Sequence, residues 1–185
     1  LVGSEICIRD SNEAIPGHHL DRTIAVELKN VPDFQRYTAS TAFVEGWGLY
    51  SEQLANEMGL YSNDVQQLGR LGNDAWRACR LVLDTGMHGM GWSRDSAIDF
   101  FRSNSPIEEI NANIETDRYI AWPGQACSYK MGQLTIEQLR KKAEEELGEK
   151  FDIRYFHDEV LCDGGITLPI LSLIHISEPT RHVDI

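Results

Sequence analysis

The stretch QACSYKMGQLTIEQLRKKAEEELG, Gln125 to Gly148, decides the fold class. It is the most strongly helical run in the chain: it ends in a mixed acidic and basic segment, and Gly148 stands where a helix stop belongs. A helix from Gln125 to Leu147 is therefore predicted.

Reading outward, Phe34, Tyr37, Phe43, Trp47, Leu54 and Met58 recur at three- and four-residue steps and predict one long amphipathic helix over 34–58. Gly46 and Gly48 weaken it by about 1 kcal/mol each relative to Ala, which points to a close approach on the backbone there. A second helix, about 65–84, carries Leu68, Leu71, Ala75, Cys79 and Val82 on one face, with Gly86 as its C-cap. A third runs from about Ser93 to Ser103. Ser105-Pro106-Ile107-Glu108 reads as a capping box opening a fourth helix to about Ala121. A short helix from Asp152 to Leu161 closes on Asp163-Gly164-Gly165. With no alternating strand pattern and no weighty hairpin signal, the predicted class is all-α, in one domain over 1–170.

The composition is that of an ordinary globular domain, 42% hydrophobic and 25% charged over 185 residues. With 29 acidic against 17 basic residues the net charge is −12, which repels a phosphate backbone and excludes nucleic acid as a partner. No apolar run approaches the roughly 18 residues of a membrane span, so no transmembrane segment is predicted. Cys7, Cys79, Cys127 and Cys162 lack metal or disulfide spacing and read as buried or free thiols. The first residues carry neither an initiator Met nor a signal-peptide pattern, so the chain is expected to start in mid-protein, with any anchor upstream and the compartment, cell envelope or cytoplasm, open. Leu171 through Arg181 resemble the translation of a sequencing-library adapter, and 171–185 are expected to be a non-native tail, which removes His175 and His182 from consideration.

Asn12-Glu-Ala-Ile-Pro-Gly-His-His19 is the densest cluster of metal-binding and acid–base groups. It looks like a modified zincin motif, in which two His one helical turn apart bind zinc and the Glu between them takes a proton from the metal-bound water. Pro16 and Gly17 exclude an unbroken helix from 12 to 19; a kink there brings Glu13 and His18 toward one point. Glu45, among apolar neighbours, must be paired or metal-bound. Glu52, seven residues on, reads as a solvated carboxylate or one that orients a ligand.

Together with this cluster, Phe43-Val-Glu-Gly-Trp-Gly-Leu-Tyr50, Asp84-Thr-Gly-Met-His88, Arg118-Tyr119, Pro123-Gly-Gln-Ala126, Tyr129-Lys-Met-Gly132 and Phe156-His-Asp158 are similar, in the same order, to the bacterial family called domain of unknown function 885. The resemblance covers residues 1 to about 170 and implies the C-terminal half of a helical zincin-like metallopeptidase, whose missing N-terminal part is a partner of this one. It further implies a zinc cofactor, Glu13 as general base, His18 or His19 as a zinc ligand and Glu45 as another. In that family the block usually begins with His, so Asn12 is a departure, because a neutral amide is a far poorer zinc ligand than imidazole. Three readings stay open: His18 and His19 both bind, His18 and Glu45 hold a metal weakly, or catalysis is lost.

His88, Tyr119 and Tyr129 are the candidates for stabilising an oxyanion. Arg118 is the candidate for gripping a substrate carboxylate, with an internal ion pair as the plainer alternative. His157 is given no catalytic role. The resulting expectation is zinc-dependent hydrolysis of a peptide or small amide substrate. Its rivals are a catalytically inactive helical binding module, favoured by Asn12, and a purely structural domain.

Overall fold

The computed structural model describes residues 10–177, with side chains through Leu173, and every regular element among them is helical. A π turn, Asp10–Ala14, precedes α1 (His18–Glu27), α2 (Asp33–Tyr37), α3 (Thr41–Glu57), α4 (Asp64–Gly89), α5 (Arg94–Asn104), α6 (Glu109–Ala121), α7 (Gln125–Leu147), α8 (Ile153–Leu161) and α9 (Leu168–Ser177). The all-α class is as predicted, and α7 has the predicted limits, with Gly148 at a φ of 52° as its stop.

α3 and α7 form the central pair. Gly46 faces Gly132 across their crossing so closely that a Cβ on Gly132 would overlap the Ala42 carbonyl oxygen. Glycine here removes the side chain that would hold the helices apart, and its helix-propensity cost is offset by the packing gained on either side. On one side Phe43, Trp47, Tyr50 and Leu54 of α3 pack with Ile136 and Leu139 of α7, Phe156, Val160 and Leu161 of α8, and Ile166 and Leu171. A second core joins Cys79 and Leu83 of α4, Ala97, Ile98 and Phe101 of α5, Ala112 and Tyr119 of α6, and Ala126 of α7. α7 thus contributes to both cores.

Four sequence expectations are corrected. The helix predicted over 34–58 is two helices, because Thr38 is extended and the Gly165 N–H, arriving from the far end of the chain, donates to the Gln35 carbonyl at 2.8 Å. Phe34 and Tyr37 are 66% and 64% exposed and stand outside the core. Gly86 is not a C-cap but lies inside α4, where the Trp92 ring packs on its bare backbone; the chain turns at Gly91, whose φ is 71°. Ser105 does not open a capping box, since its hydroxyl donates to the Phe101 carbonyl and finishes α5. On α4 only Cys79 of the predicted apolar face is buried, while Leu68, Leu71 and Val82 are exposed. The inward face instead combines Cys79 and Leu83 with the polar Arg80 and Asp84, and the half-buried Asn73 and Arg77 line up with them.

Cys79 and Cys127 are free thiols, and Cys7 lies outside the described residues. No helix among the described residues is long and apolar enough to cross a membrane. The boundary at 170 falls within α9, and Leu171 is fully buried. Residues 178–185 of the expected tail lie outside the described residues.

Candidate metal centre

Pro16 and Gly17 break the local backbone as their chemistry requires. The π turn ends at Ala14, the Ile15–Pro16 bond is cis, and α1 starts at His18 with Gly17 at its N-cap position. The Pro16 carbonyl is pinned to α3 by two donors, the Trp47 indole N–H at 2.9 Å and the Ser51 hydroxyl at 3.2 Å. A Cβ on Gly17 would collide with the Asn12 carbonyl, so glycine lets α1 fold back over the turn. This docking sets His18 and Asn12 side by side on α3.

Gly48 is the floor beneath them. A Cβ there would lie 2.6 Å from His18 Cε1, 2.7 Å from His18 Nε2 and 3.3 Å from Asn12 Nδ2. The weakness that glycine brings to α3 is thus tied to the room it leaves for two side chains. His18 Nε2 stands 3.5 Å from Glu45 Oε2, and His18 Nδ1 is buried without a hydrogen-bond partner. Burial opposes the imidazolium, but the hydrogen bond and charge of Glu45, with the charges of Glu13 and Asp21, outweigh it and raise the His18 pKa. Burial likewise opposes ionisation of Glu45, and hydrogen bonds from His18 and Tyr129 with the charges of His18 and Arg80 lower its pKa.

Asn12, 8% exposed, donates its amide to Glu52 Oε1 at 2.8 Å. Glu52 is fully engaged: Asn73 Nδ2 reaches both its oxygens, at 2.9 and 2.7 Å, and the Arg77 guanidinium bonds to the Asn73 oxygen. Burial raises the Glu52 pKa, against the charge of Arg77 and the bonds from Asn73 and Asn12. Glu52 is therefore the carboxylate that holds residue 12 in place.

The site residues named from sequence fall into two groups. His18, Glu45 and Tyr129 meet, and Glu13, exposed, is close enough for its charge to act on His18. His19 is exposed on α1. His88 is exposed at the end of α4, its Nε2 paired with the Tyr119 carbonyl at 3.1 Å. The Tyr119 phenol is buried, donating to Glu115 at 2.7 Å and accepting from the Trp76 indole at 3.2 Å. Arg118 forms the internal ion pair, two bonds to Glu115 at 3.2 and 2.6 Å. Asp84 of the Asp84–His88 motif accepts twice from Gly124 N–H and fixes the start of α7.

Asn73, Arg77 and Arg80 were not named from sequence. Their spacing, 73, 77, 80, puts them on one helix face, yet within α4 the more numerous apolar residues drew the reading to another.

As a test of zinc, the chain offers one imidazole and one carboxylate at bonding range of each other, donors of the right kind. Among the described residues no three His, Cys, Asp or Glu side chains are grouped to hold one ion. The donor set fits zinc in kind and, at two, falls short of the three protein ligands of a catalytic zinc site; Asn12 stands beside His18 over Gly48.

The family described as bacterial protein of unknown function DUF885 matches residues 11–173. The crystal structure of a candidate lipoprotein from Colwellia psychrerythraea superposes with a TM-score of 0.88 and 42% identity, covering 91% of this chain and 29% of that one. A candidate lipoprotein of unknown function from Shewanella oneidensis gives a TM-score of 0.84 at 24% identity, covering 91% and 31%, a likeness of fold alone. The chain thus spans under a third of the length of either. No curated protein matches it.

Proposed function

Because the chain belongs to the bacterial family of unknown function DUF885, we propose that it carries the metal-binding portion of a helical zinc-dependent hydrolase of peptide or related amide bonds. The observation that carries this reading is the 3.5 Å approach of His18 Nε2 to Glu45 Oε2 over the bare backbone of Gly48. Zinc, when bound, supplies Lewis acidity and an acidified water. The chain's own residues have the following parts. His18 and Glu45 hold the ion. Glu13, on the turn beside them, accepts a proton as general base. Tyr129, whose phenol donates to Glu45, would turn that proton to a developing oxyanion. Tyr119, His88 and Arg118 support the fold around it through the bonds described above. The likeness to the candidate lipoprotein from Colwellia psychrerythraea supports a cell-envelope location for the full-length protein.

A helical binding module without catalysis is the second reading. It is favoured by Asn12, which spends its amide on Glu52 and offers zinc only a carbonyl oxygen. Zinc content and hydrolysis of a quenched peptide library, measured on full-length protein purified without chelator, separate the two. Stoichiometric zinc, with zinc and hydrolysis both lost in Glu45→Gln and hydrolysis alone lost in Glu13→Gln, supports the hydrolase. Less than about 0.2 zinc per chain and no hydrolysis leaves the binding module.

A further inference from the structure

We infer that Arg77 and Arg80 form a carboxylate-recognition subsite beside His18 and Glu45, which selects peptides bearing a carboxylate near the bond that is cleaved. That a bond is cleaved rests on the hydrolase reading; the subsite itself is read without zinc.

The two arginines sit three residues apart on α4 and therefore on one face. Arg80 is 4% exposed, so its charge has left bulk water. A buried guanidinium is costly unless it is paired and its donors are met. Neither condition holds among the described residues. The Arg80 Nε is buried without an acceptor, and Nη2 reaches only the neutral Gln125 Oε1, at 3.0 Å. The Arg77 Nε is likewise buried without an acceptor, and its Nη1 bonds to the neutral Asn73 oxygen. Arg118, one helix away, shows the satisfied alternative, with its Nε and Nη2 on the two Glu115 oxygens and its Nη1 on Gln125. It is thereby occupied, and the carboxylate-gripping role passes to the two arginines that are not.

The position of the pair ties it to the candidate centre. The Arg80 guanidinium carbon lies 4.1 Å from the centre of the Tyr129 ring, and that of Arg77 5.8 Å from the same ring. The Tyr129 phenol bonds to Glu45. One aromatic ring therefore carries both cations on its face and touches the candidate metal ligand at its edge. Stacking recovers part of the desolvation cost and leaves a buried Nε–H on each arginine without an acceptor; a carboxylate entering here would meet it together with an adjacent Nη in two parallel bonds. The charges of Glu45 and Glu52 act on Arg80 and Arg77 from beyond ion-pair distance, steadying the cations without filling their donors.

The test is calorimetric titration of the full-length protein in excess chelator with three probes: N-acetyl-dialanine free acid, the same peptide as its amide, and N-acetyl-alanyl-glutamate amide. At least one carboxylate-bearing probe is expected to bind about tenfold or more tighter than the neutral amide. Preference for the free acid identifies a peptide C-terminus, and preference for the glutamyl amide an acidic side chain. The preference is expected to vanish in Arg80→Gln and Arg77→Gln and to weaken in Arg80→Lys, which keeps the charge but not the fork. Circular dichroism and Tm establish that each variant is folded, and Arg77→Gln, at the less buried position, carries the test if Arg80→Gln is not. Equal binding of all three probes, no binding of any, or a preference that survives in folded variants overturns the subsite. If the preference stands while zinc uptake and hydrolysis fail, the hydrolase reading falls and the subsite remains. Zinc and hydrolysis without the preference give the reverse.

Discussion

Asn12 donates its side-chain amide to Glu52 at 2.8 Å, seven residues along α3 from Glu45, the contact of His18. An imidazole at position 12 would have two nitrogens to spend, one N–H for the same Glu52 and one lone pair for a metal. That is the arrangement by which a carboxylate fixes the tautomer of a metal-binding His. The amide keeps the first function and offers only a carbonyl oxygen for the second. Asn12→His in the full-length protein is therefore expected to tighten zinc binding by roughly tenfold or more, read by competition against a chromogenic chelator. Unchanged affinity would show that position 12 is not a vacated ligand site.

Gly48→Ala tests the floor. The added methyl would sit 2.6 Å from His18 Cε1 and 2.7 Å from Nε2, so the imidazole must leave its place against Glu45. Overpacking of this kind costs about 1–3 kcal/mol, partly offset by about 1 kcal/mol of helix propensity. The expected outcome is a small change in Tm with a large loss of zinc affinity. A variant that binds zinc as the parent does would detach His18 from the metal reading.

Gly132→Ala strikes the fold instead. Its methyl would overlap the Ala42 carbonyl and press on Gly46, backbone atoms that cannot rotate away. The α3–α7 crossing must open, and both cores lose packing with it. The expected loss in urea denaturation is at least 3 kcal/mol, beyond the ordinary range for a surface substitution. A loss below about 1 kcal/mol would mean that the two helices have room to separate.

What the sequence disclosed follows from how local each cause is. α7 was legible to the residue because helix formers and a terminal glycine act within the segment itself. The break between α2 and α3 was not, since Phe34 and Tyr37 keep the helical period while the interruption is made by Gly165 bonding to the Gln35 carbonyl. The approach of His18 to Glu45 followed only from the family resemblance, which set both on one ion; the Pro-Gly kink by itself pointed to Glu13 and His18. Arg77 and Arg80 were hidden, because a solvated arginine and a buried one read alike until the partners are known. Tyr119 and His88 share motifs with the site, yet their bonds go to Glu115 and to a backbone carbonyl.

The last prediction concerns pH. His157 packs edge-on to Trp47 and accepts the Tyr50 hydroxyl proton at its Nε2, 2.8 Å away. Tyr50 is a firm donor, since burial pushes its pKa up to about 12 and Arg140 donates to its oxygen at 3.3 Å. Burial and then the Arg140 charge push the His157 pKa down to about 4, below its ordinary 6.5. Between those values the unfolded chain binds the proton and the folded one does not, so folding stability rises with pH across this window. The contribution is fully present above pH 6.5 and is lost progressively as pH falls toward 4. At 1.36 kcal/mol per pKa unit the bound is about 3 kcal/mol, and partial exposure of the ring brings the expected effect to on the order of 2 kcal/mol. Carboxylates titrate in the lower part of the same window, so the comparison is between the parent protein and His157→Gln, which packs in the same place without a titrating ring. Urea unfolding at intervals from pH 7.5 to 4 should show the parent losing more stability than the variant, with the difference opening below pH 6.5. Parallel curves would show that His157 protonates as readily in the folded protein as in the unfolded chain, and that burial and the Arg140 charge do not keep it neutral.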